Sequence, residues 1–277
     1  MLEINQLFKD LAKELQDAPQ VGNTRELLNK QIVFNDLDNN VLTLKCRHTA
    51  MLYTIGELIW YWSGRNDIEF IDHFSKFWRN ISDDGKTANS AYGYIIKYKH
   101  GFDQLECVID ELRRNPDSRR AVININTPSM YRMVTRDTQC TIFLQYYIRN
   151  NKLCSTAVMR SNDFIKGLTF DITYFTELQK YVAYKLGLEC GQYTHIDVSF
   201  HTYDSDSELL DKIVNEQEEV DVIYNLDLLW DKDYLNMMID KIMNHWVSKD
   251  DFELFCIRHQ LIEYDSNKIF NNNYISL

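Results

Sequence analysis

The chain is poor in the residues that divide a protein into parts. Three prolines and nine glycines are scattered through 277 residues, and no Ser/Gly-rich tract, internal repeat or low-complexity run separates one region from another. A flexible linker between modules is therefore excluded, and a single domain over residues 1–277 is expected. No apolar run approaches the roughly 20 residues needed to cross a bilayer. The opening MLEINQLFKDLAKEL carries acids and lysines where a signal peptide would be uninterrupted and apolar. A cytoplasmic location with no membrane partner is the expectation. Positive charge is scarce, since 30 Lys and Arg stand against 41 Asp and Glu, a formal charge of -11. Proteins that coat nucleic acid need many cations facing phosphates, so no direct nucleic-acid partner is expected. Any anionic ligand must be held by a local arginine cluster. Paired cysteine motifs are absent too. Cys46, Cys107, Cys140, Cys154, Cys190 and Cys256 form no C-x-x-C and have no histidine at ligand spacing. That argues against structural zinc and zinc-deaminase chemistry, so no metal is expected and the thiols read as reduced and mostly buried.

What the sequence does contain is a mixture of helical and strand patterns. INQLFKDLAKELQDA repeats apolar residues at helical spacing up to Pro19, which predicts an amphipathic helix. QIVFND and VLTLKC suggest two short strands. MLYTIGELIWYWSG predicts a buried helix stopped by Gly64. RRAVININ and TIFLQYYIRNNKLCSTAVMR are rich in β-branched and aromatic residues, with Asn150 and Asn151 placed for a hairpin turn. DITYFTELQKYVAYKLG predicts a helix with a glycine stop, and the part from about Asp204 reads as mostly helical and acidic or amphipathic. The expected class is α+β.

The chemistry concentrates in MRSNDFIKGLTFD, residues 159–171, where an arginine, a serine, an amide, a glycine and two acids lie between apolar segments. Unpaired carboxylates are costly to bury. Asp171 must therefore be solvated, cap the following helix or read a ligand. NPDSRR, QCTIFLQYYI, MRSND with IKGL and FD, and FHTY occur in the order and approximate spacing of the thymidylate synthase superfamily, as do GELIWYWSG and SAYG. The chain resembles that family from about Arg25 to Tyr203. Residues 205–277 diverge, and the closing NNNYISL matches no family motif.

The resemblance implies a mixed β-sheet packed with helices, one face of the sheet serving a homodimer. It implies a pyrimidine nucleotide as substrate and 5,10-methylenetetrahydrofolate as co-substrate. Carbon 5 of a pyrimidine is a poor nucleophile until a thiolate adds at carbon 6, which is covalent catalysis. By resemblance Cys140 is that thiolate, with Arg160 beside it favouring the ionised form. Arg25, Arg160 and Ser161 match phosphate ligands, and Arg119 and Arg120 match the pair lent by the neighbouring subunit. Planar guanidinium forks suit phosphate. Glu57 matches the residue that orders water and moves protons. Tyr92, Gln145, His201 and Tyr203 match residues of the proton network, the base and the sugar, and Trp78, Asp163 and Gly167 would line the folate side. Each residue alone has a plainer reading: a buried thiol, a solvated arginine pair, a core tryptophan, a turn glycine.

Thymidylate synthases acting on deoxyuridylate carry asparagine where this chain has Asp171. That amide accepts from N3–H and donates to O4. Cytosine reverses both polarities, and a carboxyl sharing one proton with N3 fits it. The plainer alternative for Asp171 is the N-cap. Thr141, Met159, Ser199 and NSAYG depart from thymidylate synthases in the same direction, toward the deoxycytidylate hydroxymethylases of T-even-type phages. The expected activity is thus addition of a hydroxymethyl group to dCMP, in a host cytoplasm if the gene is a phage's. Thymidylate synthesis, dCMP methylation, CMP hydroxymethylation and a non-catalytic acidic scaffold are the alternatives.

Overall fold

The computed structural model describes residues 1–132 and 134–264, so NNNYISL lies outside the described residues. Helices α1 (Glu3–Gln16), α2 (Met51–Trp62), α3 (Ile68–Ile71), α4 (Phe77–Ile81), α5 (Tyr92–Lys97), α6 (Gln104–Arg114), α7 (Thr169–Leu186), α8 (Ser207–Asn215), α9 (Lys232–Asn244) and α10 (Lys249–Arg258) surround the sheet strands. These are β1 (Gln20–Val21), β2 (Thr24–Phe34), β3 (Val122–Asn124), β4 (Thr141–Arg149), β5 (Lys152–Met159), β6 (Asn162–Asp163) and β7 (Glu189–Tyr203). A separate hairpin-like pair, β8 (Val222–Tyr224) and β9 (Ile262–Tyr264), interrupts the helical C-terminal part.

Strand order is β1-β2-β7-β5-β4-β3, with β6 pairing to β7. The β5–β7 pairing is parallel while its neighbours are antiparallel, so the sheet is mixed and the class α+β as expected. The connection between β5 and β7 is made by α7, the usual solution because parallel neighbours need a long crossover. Asn150 and Asn151 both adopt positive φ, 52° and 59°, and close the β4–β5 hairpin. Two asparagines suit such a turn because they tolerate the left-handed region.

One expectation changes. VLTLKC forms no strand beyond an isolated bridge from Leu44 to Glu219, and the chain turns into a 3-10 helix at Lys45–Ala50. Val41, Leu42, Thr43 and Leu44 are all buried, so the run has no solvent face to alternate with and fills the core between α1 and the 218–220 segment. Conversely, the longest strand, β7, sits at the middle of the sheet although GQYTHIDVSFHTY mixes charges among its apolar residues.

α2 runs through the core with Ile55, Leu58, Ile59, Trp60 and Trp62 buried. Gly64 at φ 69° ends it as expected. α5 lies directly on its last turn: a Cβ on Gly93 would sit 1.9 Å from the carbonyl oxygen of Tyr61. Neither helix can part from the other without losing the buried tyrosines between them, and α2 and α5 carry Glu57 and Tyr92. Gly93→Ala should therefore destabilise the fold by about 2–3 kcal/mol, the upper range of overpacking costs, read as a lower urea midpoint. An unchanged midpoint would show that the contact is not tight.

Candidate active site

Thr141 pairs with Met159 across the β4–β5 ladder, so the residues just outside it, Cys140 and Arg160, become neighbours. The Arg160 backbone N–H donates to the Cys140 carbonyl at 2.8 Å. Its guanidinium donates from Nε to Gln139 O at 2.9 Å and from Nη2 to Thr138 O at 3.1 Å, leaving Nη2 3.6 Å from the Cys140 sulfur. Burial pushes the Cys140 thiol up, and the Arg160 charge opposes it. The Arg160 charge thus works against the desolvation of the thiol, which is the larger influence.

Glu57 faces this pocket from α2. Tyr53 and Tyr61, one helical turn to either side, donate to the same oxygen, Oε1, at 2.6 and 3.4 Å. The Trp78 indole N–H donates to Tyr53 Oη at 2.9 Å, which makes a relay from Trp78 through Tyr53 to the carboxyl. Burial lifts the Glu57 carboxyl to about 7, against the two phenol hydrogen bonds that lower it. A carboxyl poised there can hold or release a proton near neutrality.

Asp171 is the third residue of α7 and caps nothing. The chain is already helical from the π-turn Phe164–Leu168, whose cap is Asp163, accepting from Ile165 N at 2.8 Å and Lys166 N at 3.0 Å. Among the described residues the Asp171 carboxyl has no hydrogen-bond partner. Burial lifts its pKa well above the ordinary carboxylate range, and Glu57 and Asp197 add to the shift. Its charge is felt by Cys140 and by Tyr92, whose buried phenol bonds at Thr141. Cys140, Arg160, Glu57, Tyr92 and Asp171 therefore converge, drawn from β4, β5, α2, α5 and α7.

The remaining expected residues divide. Arg25 on β2 pairs in register with Thr202, between His201 and Tyr203, and its guanidinium donates to Gln16 O at 2.8 Å and Ala18 O at 3.2 Å. His201 packs on Tyr203 at 5.4 Å, and Lys166 lies 4.9 Å over the Tyr203 ring. Asp163 pairs with His201 through β6 and β7. Ser161 follows Arg160, partly exposed. Trp78 is buried against Trp60 at 5.3 Å, and Gly167 lies within the π-turn. Arg119 and Arg120 are exposed before β3 and, among the described residues, make no contact with Cys140 or Arg160 in the same chain. Gln145 on β4 donates from its amide to Arg119 O at 2.9 Å.

Sequence reasoning missed Tyr53 and Tyr61, though aromatics four residues either side of a buried acid were a visible signal. It also missed Arg47, a buried guanidinium donating to Ile165 O at 2.9 Å. Nor did it flag Tyr193, His195 and Asp197, which share one face of β7.

A sequence model of the family described as thymidylate synthase matches residues 6–253. Two curated relatives are named deoxyuridylate hydroxymethyltransferase. That of Bacillus phage SP01 is 28% identical over 229 residues, covering 78% of this chain and 58% of the relative. That of Pseudomonas phage M6 is 33% identical over 170 residues, covering 60% of this chain and 48% of the relative. The chain thus spans about half the length of these relatives. Thermostable thymidylate synthase A from Bacillus subtilis superposes with a TM-score of 0.65 at 23% identity, over 87% of this chain and 95% of that one, a likeness in fold. With most of its length matched by that family and its sheet and helices arranged alike, the chain belongs to the thymidylate synthase family.

Proposed function

We propose that this chain is a folate-dependent one-carbon transferase acting on carbon 5 of dCMP and producing 5-hydroxymethyl-dCMP. The observation that carries the reading is Asp171: a carboxyl with no hydrogen-bond partner among the described residues, shifted toward its protonated form, near a thiol and a second tunable acid. A protonated carboxyl donates from one oxygen and accepts at the other, the polarity a cytosine edge requires. The names of the phage relatives support hydroxymethyl rather than methyl transfer. They also favour a second reading, in which the base is uracil.

Cys140 Sγ bonds carbon 6 of the base, and the proton that Asp171 shares with N3 offsets the negative charge that this addition pushes into the ring. Methylenetetrahydrofolate supplies a carbon at the oxidation level of formaldehyde. The pocket wall of Tyr53, Trp78 and Phe170 suits a flat heteroaromatic molecule, with the Tyr53 and Phe170 rings 4.7 Å apart. Asp163 and Gly167 would lie on that side. Carbon 5 would bond the folate's one-carbon unit as that unit's bonds to the folate nitrogens break and the carbon 5 proton leaves, releasing tetrahydrofolate. Glu57 would then order a water and take its proton as the water's oxygen bonds the new carbon, while the Cys140–carbon 6 bond breaks. The sum is dCMP, methylenetetrahydrofolate and water giving 5-hydroxymethyl-dCMP and tetrahydrofolate. Arg25, Arg160 and Ser161 would hold the phosphate, with His201 and Tyr203 at the sugar and Tyr92 steadying the proton network. Exposed Leu28, Val33 and Val198 on β2 and β7 support a homodimer through the sheet, which would carry Arg119 and Arg120 to the neighbouring pocket.

Three outcomes are expected. Incubated with methylenetetrahydrofolate, dCMP should gain one CH2O unit without dihydrofolate appearing. Asp171→Asn should shift preference toward dUMP, lowering kcat/KM for dCMP about 10- to 100-fold. A methylated dUMP product with dihydrofolate would overturn the reading. Next, kcat should fall as the pH drops through about 7, and Glu57→Gln should abolish that limb. Glu57 has a folded pKa above its unfolded value, so its stabilising contribution is full below 4.5 and lost as pH rises to about 7. The melting-temperature advantage of the native protein over Glu57→Gln should shrink across that window, and a constant difference would refute the shift. Finally, mixing Cys140→Ser with Arg120→Ala chains should restore activity through a hybrid site, and no recovery would exclude shared sites.

A further inference from the structure

The polar cluster below Asp171 has no part in the chemistry above. Tyr193, His195 and Asp197 alternate along β7 and are buried on one face of the sheet, with Asn162 of β6 beside them. Tyr193 Oη lies 2.6 Å from His195 Nδ1. His195 Nε2 lies 3.0 Å from Asp197 Oδ1 and 3.0 Å from the amide nitrogen of Asn162. In that orientation Asn162 Oδ1 is buried with no partner.

Hydrogen-bond accounting resolves this cluster in one way. A carboxylate beside a ring nitrogen keeps the proton on that nitrogen. Nε2 is then a donor, and Nδ1 accepts from the Tyr193 hydroxyl. A donating Nε2–H needs an acceptor from Asn162, so the amide turns its oxygen to His195 and its NH2 the other way. The orphan oxygen is thereby replaced by a donor. That donor and Asp171 Oδ2 flank a space over Gly167 too small for a methyl group. A Cβ there would lie 2.3 Å from the Asn162 amide end and 3.4 Å from Asp171 Oδ2. The charge of Asp197 is also felt at Asp171.

We propose that Asn162, locked by His195, is a positioning residue that sets the polarity of the Asp171 carboxyl. This rests on the reading that Asp171 faces the pyrimidine. An oxygen that accepts from the Asn162 NH2 is the carbonyl oxygen of the acid, with a second lone pair free for the 4-amino group of cytosine. The proton then resides on the other oxygen and donates to N3. Uracil, with its carbonyl at position 4 and N–H at position 3, meets the wrong polarity at both atoms.

The test is equilibrium binding of dCMP, dUMP and deoxyribose 5-phosphate by calorimetry to the intact protein, to Asn162→Leu and to Gly167→Ala. The alanine methyl displaces the amide, so this second variant carries the test if Asn162→Leu does not fold. The native protein should prefer dCMP. Each folded variant should lose about tenfold of that preference, the effect of one misplaced hydrogen bond, with deoxyribose 5-phosphate bound as before. A dCMP preference that persists undiminished in the variants overturns this inference alone. A native preference for dUMP overturns both the inference and the base assignment beneath it.

Discussion

The cost of burying carboxyl groups governs the centre of this molecule. Glu57 and Asp171 sit where neither ionises at its ordinary pH, and desolvation is the leading cause for both. Such groups are tolerable only when their surroundings donate to them or when they keep their protons. Glu57 takes the first course, with two tyrosine hydroxyls on a single oxygen. Asp171 takes the second. The tight approach of α5 to α2, and of Phe74 to Gly56 within α2, holds the aromatic residues that make this arrangement stable.

The same desolvation acts on the thiol. Cys140 is raised by burial although Arg160 stands beside it, and that guanidinium also holds the carbonyls of Thr138 and Gln139. Arg160 therefore serves two tasks: it shapes the turn that presents the sulfur and supplies the charge that opposes desolvation. An anionic phosphate drawn to the same guanidinium would compete for that charge. A poised rather than permanently ionised thiol follows, and a thiol of this kind is protected from idle oxidation because the thiolate is the reactive form.

Much of this was legible in the sequence because local chemistry decided it. The asparagine pair at 150 and 151 demanded a turn, the apolar run of α2 demanded burial, and motif order placed Cys140 near Arg160. The failures arose where tertiary context outweighed pattern. VLTLKC has strand-like residues, but Val41, Leu42, Thr43 and Leu44 are all buried, so alternation had nothing to report. β7 carries histidine and aspartate into the middle of the sheet because they satisfy one another there, a pairing invisible along the chain. Asp171 looked eligible for a cap, and only the preceding π-turn, capped by Asp163, removes that role.

Base choice is the point on which the family likeness is least informative, and the physics explains why. A fold needs many residues acting together, so it persists at identities of 28% and 33%. Recognition of position 4 of the ring needs only one donor or acceptor, and a single carboxyl in place of an amide reverses it. A carboxyl is suited to cytosine only while protonated, however, because an ionised one would repel N3. On the proposed reading, the burial that makes Asp171 expensive is the same feature that would make it selective, and an asparagine there would need no such environment. Burial first, and then the acids at 57 and 197, favours the proton on an aspartate at position 171.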